Sequence, residues 1–258
     1  MTEKKTMPVL FVGHGSPMNA IEDNMYTQAW AKIARQIPKP TAILAVSAHW
    51  YTNGIKITDA DRPKTVYDMY GFPEELYQVT YNPPGSPDLA RLVKGMIGRE
   101  VQVDNTWGLD HGAWSVLCRM YPAADIPVFQ LSVDRMLTPE QHFRIGQEIS
   151  ALREQGVLIL GSGNVVHNLA RINWHMTGGY AWADEFDCYI QEHISSRQYQ
   201  AVMKYRLAGQ CASLAFTSAD HFYPLFYVLG ASKTADVLEI FNQSCVLGSL
   251  SMTCYLFQ

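Results

Sequence analysis

Four histidines each stand just past an apolar run or at a turn: His14 in LFVGHGSPM, His49 in ILAVSAHWY, His167 in LILGSGNVVHN and His221 in SADHFYPLFYV. Neutral imidazole is the commonest protein ligand for zinc, iron and copper. The runs before His14 and His49 read as buried β-strands. In an open α/β sheet, ligands bind beyond the carboxyl ends of the strands. Imidazoles delivered there from separate strands converge on one pocket, and the pattern points to a mononuclear metal site built mainly from histidine. Three neutral protein ligands on octahedral Fe(II) leave up to three positions open for other ligands. On tetrahedral zinc the same set would activate water instead. These residues alone do not separate the two metals.

Each histidine also has a plainer reading. Gly13 and Gly15 permit a tight turn around His14, but GHGSP lacks the GxGxxG spacing and no GxxxxGK[ST] follows, so a phosphate cradle is weakly supported. His49 closes AVSAHW where the strand leaves the sheet, and could simply bond a loop backbone. His167 follows a strand broken by Gly161 and Gly163. It can be a fourth ligand, or an unbound acid/base. His221 opens an apolar, helix-like run with Ser218 or Asp220 as cap, and Asp220 is its rival for the third place of a 2-His-1-carboxylate set. Adjacent helical residues do not face the same way, so only one of the two binds. His111 sits in the first turn of a helix capped by Asp110. There it can donate a hydrogen bond to a bound oxygen, or be an ordinary imidazole. His142, His175 and His193 lie in polar or Trp-rich surroundings and read as surface residues.

The elements that must position these groups alternate. Pro8–Val12, Ala42–Ser47, Ile126–Val133 and Val157–Leu160 are short runs rich in Val, Ile and Leu, as central strands buried on both faces require. Between them the spacing predicts helices. Thr138 caps one that runs to Arg153, with Pro139 in its first turn and Gly156 beyond its end; Ser86 and Pro87 open another, to Ile97. The expected fold is a single α/β domain spanning residues 1–258, with a central, mostly parallel or mixed sheet and helices on both faces. Gly248–Phe257 alternates Leu250, Met252, Cys254 and Leu256, the pattern of a half-buried strand at a sheet edge. Tyr51–Pro84, rich in Pro, Gly, Tyr and Asp, is too long for a simple connection and reads as part of a pocket wall.

Composition excludes other classes. The 258 residues are 48% hydrophobic, enough for a large core, and the net charge of −4 gives no basic footprint for nucleic acid. No stretch approaches the ~20 apolar residues of a membrane span. MTEKKTMPVLFVG has too short an apolar run for a signal peptide. The five cysteines are scattered, with no CxxC, which reads as reduced, buried thiols in a cytoplasmic protein and argues against a thiolate zinc site.

In order and spacing, GHGSPMN, SAHW, DHGAW, GSGNVVHN and DHFYPLFYVLG resemble the class III extradiol ring-cleavage dioxygenases, and within them the 4,5-DOPA extradiol dioxygenase branch that includes bacterial YgiD-like proteins. The resemblance runs from about Pro8 to the C-terminus. It implies Fe(II)-dependent, O2-consuming cleavage of a small catechol such as DOPA to a muconic semialdehyde, with Zn(II) often bound in purified protein. His14, His49 and His221 match the family's metal-binding positions. His167 matches its active-site histidine, an acid/base that can complete a four-histidine shell in metal-replaced forms. Where the protocatechuate-type branch has a Glu as third ligand, this chain has His221 beside Asp220. That all-histidine set carries one negative charge fewer and favours zinc. Two other readings stand beside the dioxygenase: a zinc hydrolase using metal-bound hydroxide, and a non-enzymatic interaction protein like the Memo proteins, whose fold is similar.

Overall fold

Residues 6–258 are described by a computed structural model; the lysines of the N-terminal segment weighed above as a leader lie outside them. The strands are β1 (Val9–Gly13), β2 (Ala42–Thr52), β3 (Ile55–Ile57), β4 (Val101–Val103), β5 (Val128–Asp134), β6 (Val157–Gly163), β7 (Leu238–Phe241), β8 (Cys245–Val246), β9 (Leu250–Ser251) and β10 (Cys254–Phe257). The helices are α1 (Met25–Gln36), α2 (Glu74–Tyr77), α3 (Pro87–Met96), α4 (His111–Met120), α5 (Pro139–Ile149), α6 (Ala181–Ser195), α7 (Tyr199–Met203), α8 (Gln210–Ala215) and α9 (Pro224–Ala231).

Eight strands form one mixed sheet in the order β4-β3-β5-β2-β6-β1-β10-β7, and β8 pairs with β9 in a separate ribbon. The middle of the sheet, β5-β2-β6-β1, is parallel. Its residues alternate between two cores. Phe11, Leu44, Val46 and Ile159 face a layer built from α3, α5, α6 and α9, whereas Leu10, Ile43, Ala45 and Leu158 face α1 and α4. Each strand is therefore apolar on both sides, and the expected α/β architecture with helices on both faces is what forms. No helix among the described residues is long and apolar enough to cross a membrane.

Local signals held where the chemistry was specific. Thr138 and Gln141 close a full capping box on α5, with Pro139 at its first position. The last turns tighten into a 3-10 stretch over Ser150–Gln155, which ends at Gly156 with φ +80°. Ser86 precedes α3 as expected, but its side chain makes no capping bond. The C-terminal strand is not at an edge. β10 pairs antiparallel with both β1 and β7, because Tyr255 and Phe257 bury one of its faces while Cys254 and Leu256 bury the other.

Two expectations about burial also fail, that His142 is a surface residue and that Cys188 is a buried thiol. His142 on α5 is fully buried, its Nδ1 3.0 Å from the Tyr227 hydroxyl. The partner hydroxyl on α9 is what lets a polar ring enter the core. Cys188 is exposed, while Cys211, Cys245 and Cys254 are buried.

Candidate metal centre

Register places the first two histidines at one level. Gly13 pairs with Gly163, and Ser47 pairs with Ser162. The carboxyl ends of β1 and β6 thus lie beside Ser47, where β2 stops pairing with β6. Contrary to the expectation that the strand ends before His49, β2 runs on to Thr52 and His49 sits within it, where its register against β5 shifts between Val46 and Tyr51. His14 is the first residue past β1, and its backbone N–H donates to the Gly163 carbonyl at 3.0 Å. Gly15 takes φ +64°, so the turn the flanking glycines suggested is formed. His49 lies two residues beyond Ser47 on β2.

His221 arrives differently. α9 begins only at Pro224, after Tyr223, and neither Ser218 nor Asp220 caps it. The turn carrying His221 packs directly on the end of β6. The Asn164 N–H donates to the His221 carbonyl at 2.8 Å, and a Cβ at Gly163 would stand 2.0 Å from that same oxygen. Only glycine admits this approach. Gly112 does the same for His49, since a Cβ there would lie 2.8 Å from the His49 ring carbon Cδ2.

One ligand atom from each of His14, His49 and His221 lies within 4.8 Å of the others. The atoms around the rings say which nitrogens meet. Ser162 Oγ donates to the Gly112 carbonyl, so it accepts from His14 Nδ1, 3.0 Å away. His221 Nδ1 donates to Asp220 Oδ2 at 3.1 Å. His49 Nδ1 lies 3.1 Å from Asp68 Oδ2, off the line of a full hydrogen bond but where a proton on Nδ1 is electrostatically favoured. These partners assign the proton of all three rings to Nδ1. The Nε2 lone pairs are left over. Those of His14 and His49 face each other at 3.2 Å, and that of His221 is buried without a partner. Nitrogens crowded together in this way could hold a metal ion, and ligand imidazoles are commonly held from behind by carboxylate or hydroxyl.

Asp220 thus stands behind His221, on the side of its Nδ1. His167 is stacked flat on His221, centroids 3.4 Å apart and planes 5° from parallel, and it does not join the group whose donor atoms share the 4.8 Å limit. His111 comes from the first turn of α4, where Asp110 accepts from the Ala113 N–H as cap. Its ring lies 3.8 Å from that of His49, and its Nδ1 lies 3.1 Å from Asp68 Oδ2. Asp68 thus stands against two imidazoles, and its Oδ1 also accepts from the His111 backbone N–H at 2.8 Å. It belongs to the Tyr51–Pro84 segment, which walls the site as expected. His49, Asp68 and His111 form a second group with metal-ligand spacing.

Electrostatics sort the rings. Burial, reinforced by the neighbouring imidazoles, holds His14 and His221 well below the ordinary imidazole value. Burial lowers His111 too, against the pull of Asp68. Burial pushes His167 down to about 4 despite the Asp220 carboxylate. His49 is the exception: burial depresses it, but Asp68, Asp110 and Asp220 together outweigh burial and raise it. Asp68 is held low because its two imidazole neighbours overcome its own burial.

Sequence reasoning missed Asp68 and Ser162. Nothing in TVYDMYG marks one aspartate above its neighbours; Ser162 at least lies in the GSGNVVHN block. Asp110 was read only as a cap. It is fully buried and also accepts from Ser47 Oγ at 2.6 Å and Trp107 Nε1 at 3.1 Å, tying α4 to β2 behind the site.

An α/β sheet that brings three imidazole lone pairs to one point at its strand ends is the framework of a metal-dependent enzyme. The family model described as the catalytic LigB subunit of aromatic ring-opening dioxygenase matches residues 8–257, and the chain belongs to that family. It is 43% identical over 252 residues to an Escherichia coli (strain K12) protein named 4,5-DOPA dioxygenase extradiol, a match covering 95% of this chain and 93% of that one. A Beta vulgaris protein of the same name is 36% identical over 263 residues, covering 99% and 98%. A crystal structure of an uncharacterized protein from Escherichia coli K12 superposes with a TM-score of 0.86 at 38% identity, over 98% of this chain and 100% of the other. The resemblance read from the five sequence blocks is thereby confirmed.

Proposed function

We propose that the protein is an extradiol dioxygenase that opens the ring of a small catechol, DOPA or a close relative, with O2, using Fe(II) held by Nε2 of His14, His49 and His221. The observation that carries this is the set of three inward lone pairs, each ring fixed from behind by Ser162, Asp68 or Asp220. The names of the relatives supply the substrate class, and the family favours ring opening over the hydrolase and interaction-protein readings. Bound Fe(II) would supply the route by which electrons pass from catecholate to O2. An uncharged, all-imidazole set also suits Zn(II), which is the ion expected in protein purified without added iron.

The chain's own groups handle protons. His167 is neutral at pH 7 because burial lowers it, so its ring nitrogen can take a proton from a catechol hydroxyl that a bound ion would acidify. Its place outside the three-histidine group supports this role over that of a fourth ligand. His111, anchored by Asp68, can donate a hydrogen bond to an oxygen at the centre. The five unpaired cysteines support a reducing, cytoplasmic setting. Anaerobic reconstitution with Fe(II), followed by oxygen-electrode assays with DOPA, tests the reading. Substrate-dependent O2 uptake with a yellow product is expected. No uptake with any catechol by fully iron-loaded protein would overturn it.

A further inference from the structure

We infer that the groove beside the histidine cluster, lined by Tyr51, Tyr205, Arg206, Ser218 and Tyr223, holds an anionic tail of the substrate, and that Arg206 binds its carboxylate. The inference rests on the catechol reading and narrows it. The preferred substrates are catechols with a carboxylate on a short chain.

The cluster is closed on most sides. His14, His111 and His221 are 1%, 6% and 4% exposed, whereas the side chains of His49 and Asp220 are 18% and 26% exposed. A substrate must therefore enter at His49 and Asp220. The groove adjoins that opening through three connections. Tyr51 follows His49 by two residues on β2, Ser218 and Ala219 lead directly into Asp220, and Phe216 is bridged to His167. Its volume is about 440 Å³, enough for a short chain beyond the ring.

The chemistry of the lining fits an anion. Arg206 is the one cation among the groove's lining residues, and it makes no ion pair among the described residues. Its guanidinium sits 5.1 Å from the Tyr205 ring centroid. A guanidinium fork matches a carboxylate in a paired geometry that an ammonium cannot reproduce. Arg206 is exposed, and the same groove is lined by Ser213, Ser218 and the tyrosines Tyr51, Tyr205 and Tyr223. Asp68 and Asp220 at the mouth would repel an anionic tail, and the other nearby cation, Arg135, is held against Tyr51, its guanidinium 5.6 Å from that ring's centroid and donating to the Tyr51 carbonyl. The groove is thus where such a tail can be neutralised.

The experiment compares dihydrocaffeate with uncharged 4-methylcatechol. Binding to iron-loaded protein is read by anaerobic calorimetry, and KM by O2 uptake, for the parent chain and for Arg206→Gln, Arg206→Lys and Lys204→Gln. The parent should prefer dihydrocaffeate by about tenfold or more, as expected for one charge-assisted pair. Arg206→Gln should erase most of that preference, Arg206→Lys should restore part of it, and Lys204→Gln, which removes an exposed cation two residues earlier, should retain it. Equal affinity of the parent for both compounds, or an unchanged preference in Arg206→Gln, would overturn the inference. A preference that depends on Arg206 in the absence of any O2 uptake would uphold the tail site while removing the dioxygenase reading, so the two fail separately.

Discussion

The Nε2 atoms of His14 and His49 face each other at 3.2 Å, although the partners of both rings place their protons on Nδ1. Two lone pairs at that distance repel unless a proton or a metal ion lies between them. The buried, unpartnered Nε2 of His221 completes the set. The expectations below follow from this arrangement and from the groups that hold it.

Removing either ring should release the ion. His14→Ala and His49→Ala are each expected to lower metal content from about one ion per chain to below about a tenth, since two remaining neutral ligands bind weakly. Elemental analysis after gel filtration measures this. Full occupancy in both variants would contradict the assignment.

His167 should separate chemistry from binding. His167→Gln is expected to keep the ion and lose about 10²–10⁴-fold in kcat, the usual contribution of a positioned acid/base. Complete loss of metal in that variant would make His167 a ligand instead.

Asp68 should act through the rings it touches. Asp68→Asn keeps the shape but removes the charge that holds His49 and His111, and about 10–100-fold weaker metal affinity is expected. Competition with a metal chelator gives the affinity. An unchanged value would reduce Asp68 to a loop anchor.

The buried ring of His142 predicts acid sensitivity away from the site. Burial pushes its pKa down to about 3 from the ordinary 6.5. Between those values the unfolded chain binds more protons than the folded one, so the contribution to stability is fully present above 6.5 and falls as the pH drops toward 3. Urea midpoints of metal-free protein at about pH 7 and about pH 4.5 should therefore fall further for the parent chain than for His142→Gln. Equal losses would mean that His142 is not the titrating group.

What was legible in the sequence follows from the range of the interactions. His14 and His49 could be placed because a strand run and the histidine after it are neighbours along the chain. His221 could be named, yet its entry could not be foreseen. Its turn meets β6 because Gly163 leaves room for the His221 carbonyl, a contact between distant segments. Asp68 was illegible for the same reason: a loop aspartate gains its role only when β2 and α4 arrive beside it. The edge assignment of the C-terminal strand failed because alternation of Cys254 and Leu256 was weighed without Tyr255 and Phe257, which are equally apolar. His142 was misplaced because its partner, the Tyr227 hydroxyl, lies on another helix.

The central claim is that Nε2 of residues 14, 49 and 221 share one ion. X-ray absorption and anomalous diffraction on the iron-loaded protein test it most directly. A single ion ligated by these three imidazole nitrogens is the expected result. An ion seated instead on the alternative His49, Asp68 and His111 group, or rings that hold none, would contradict it.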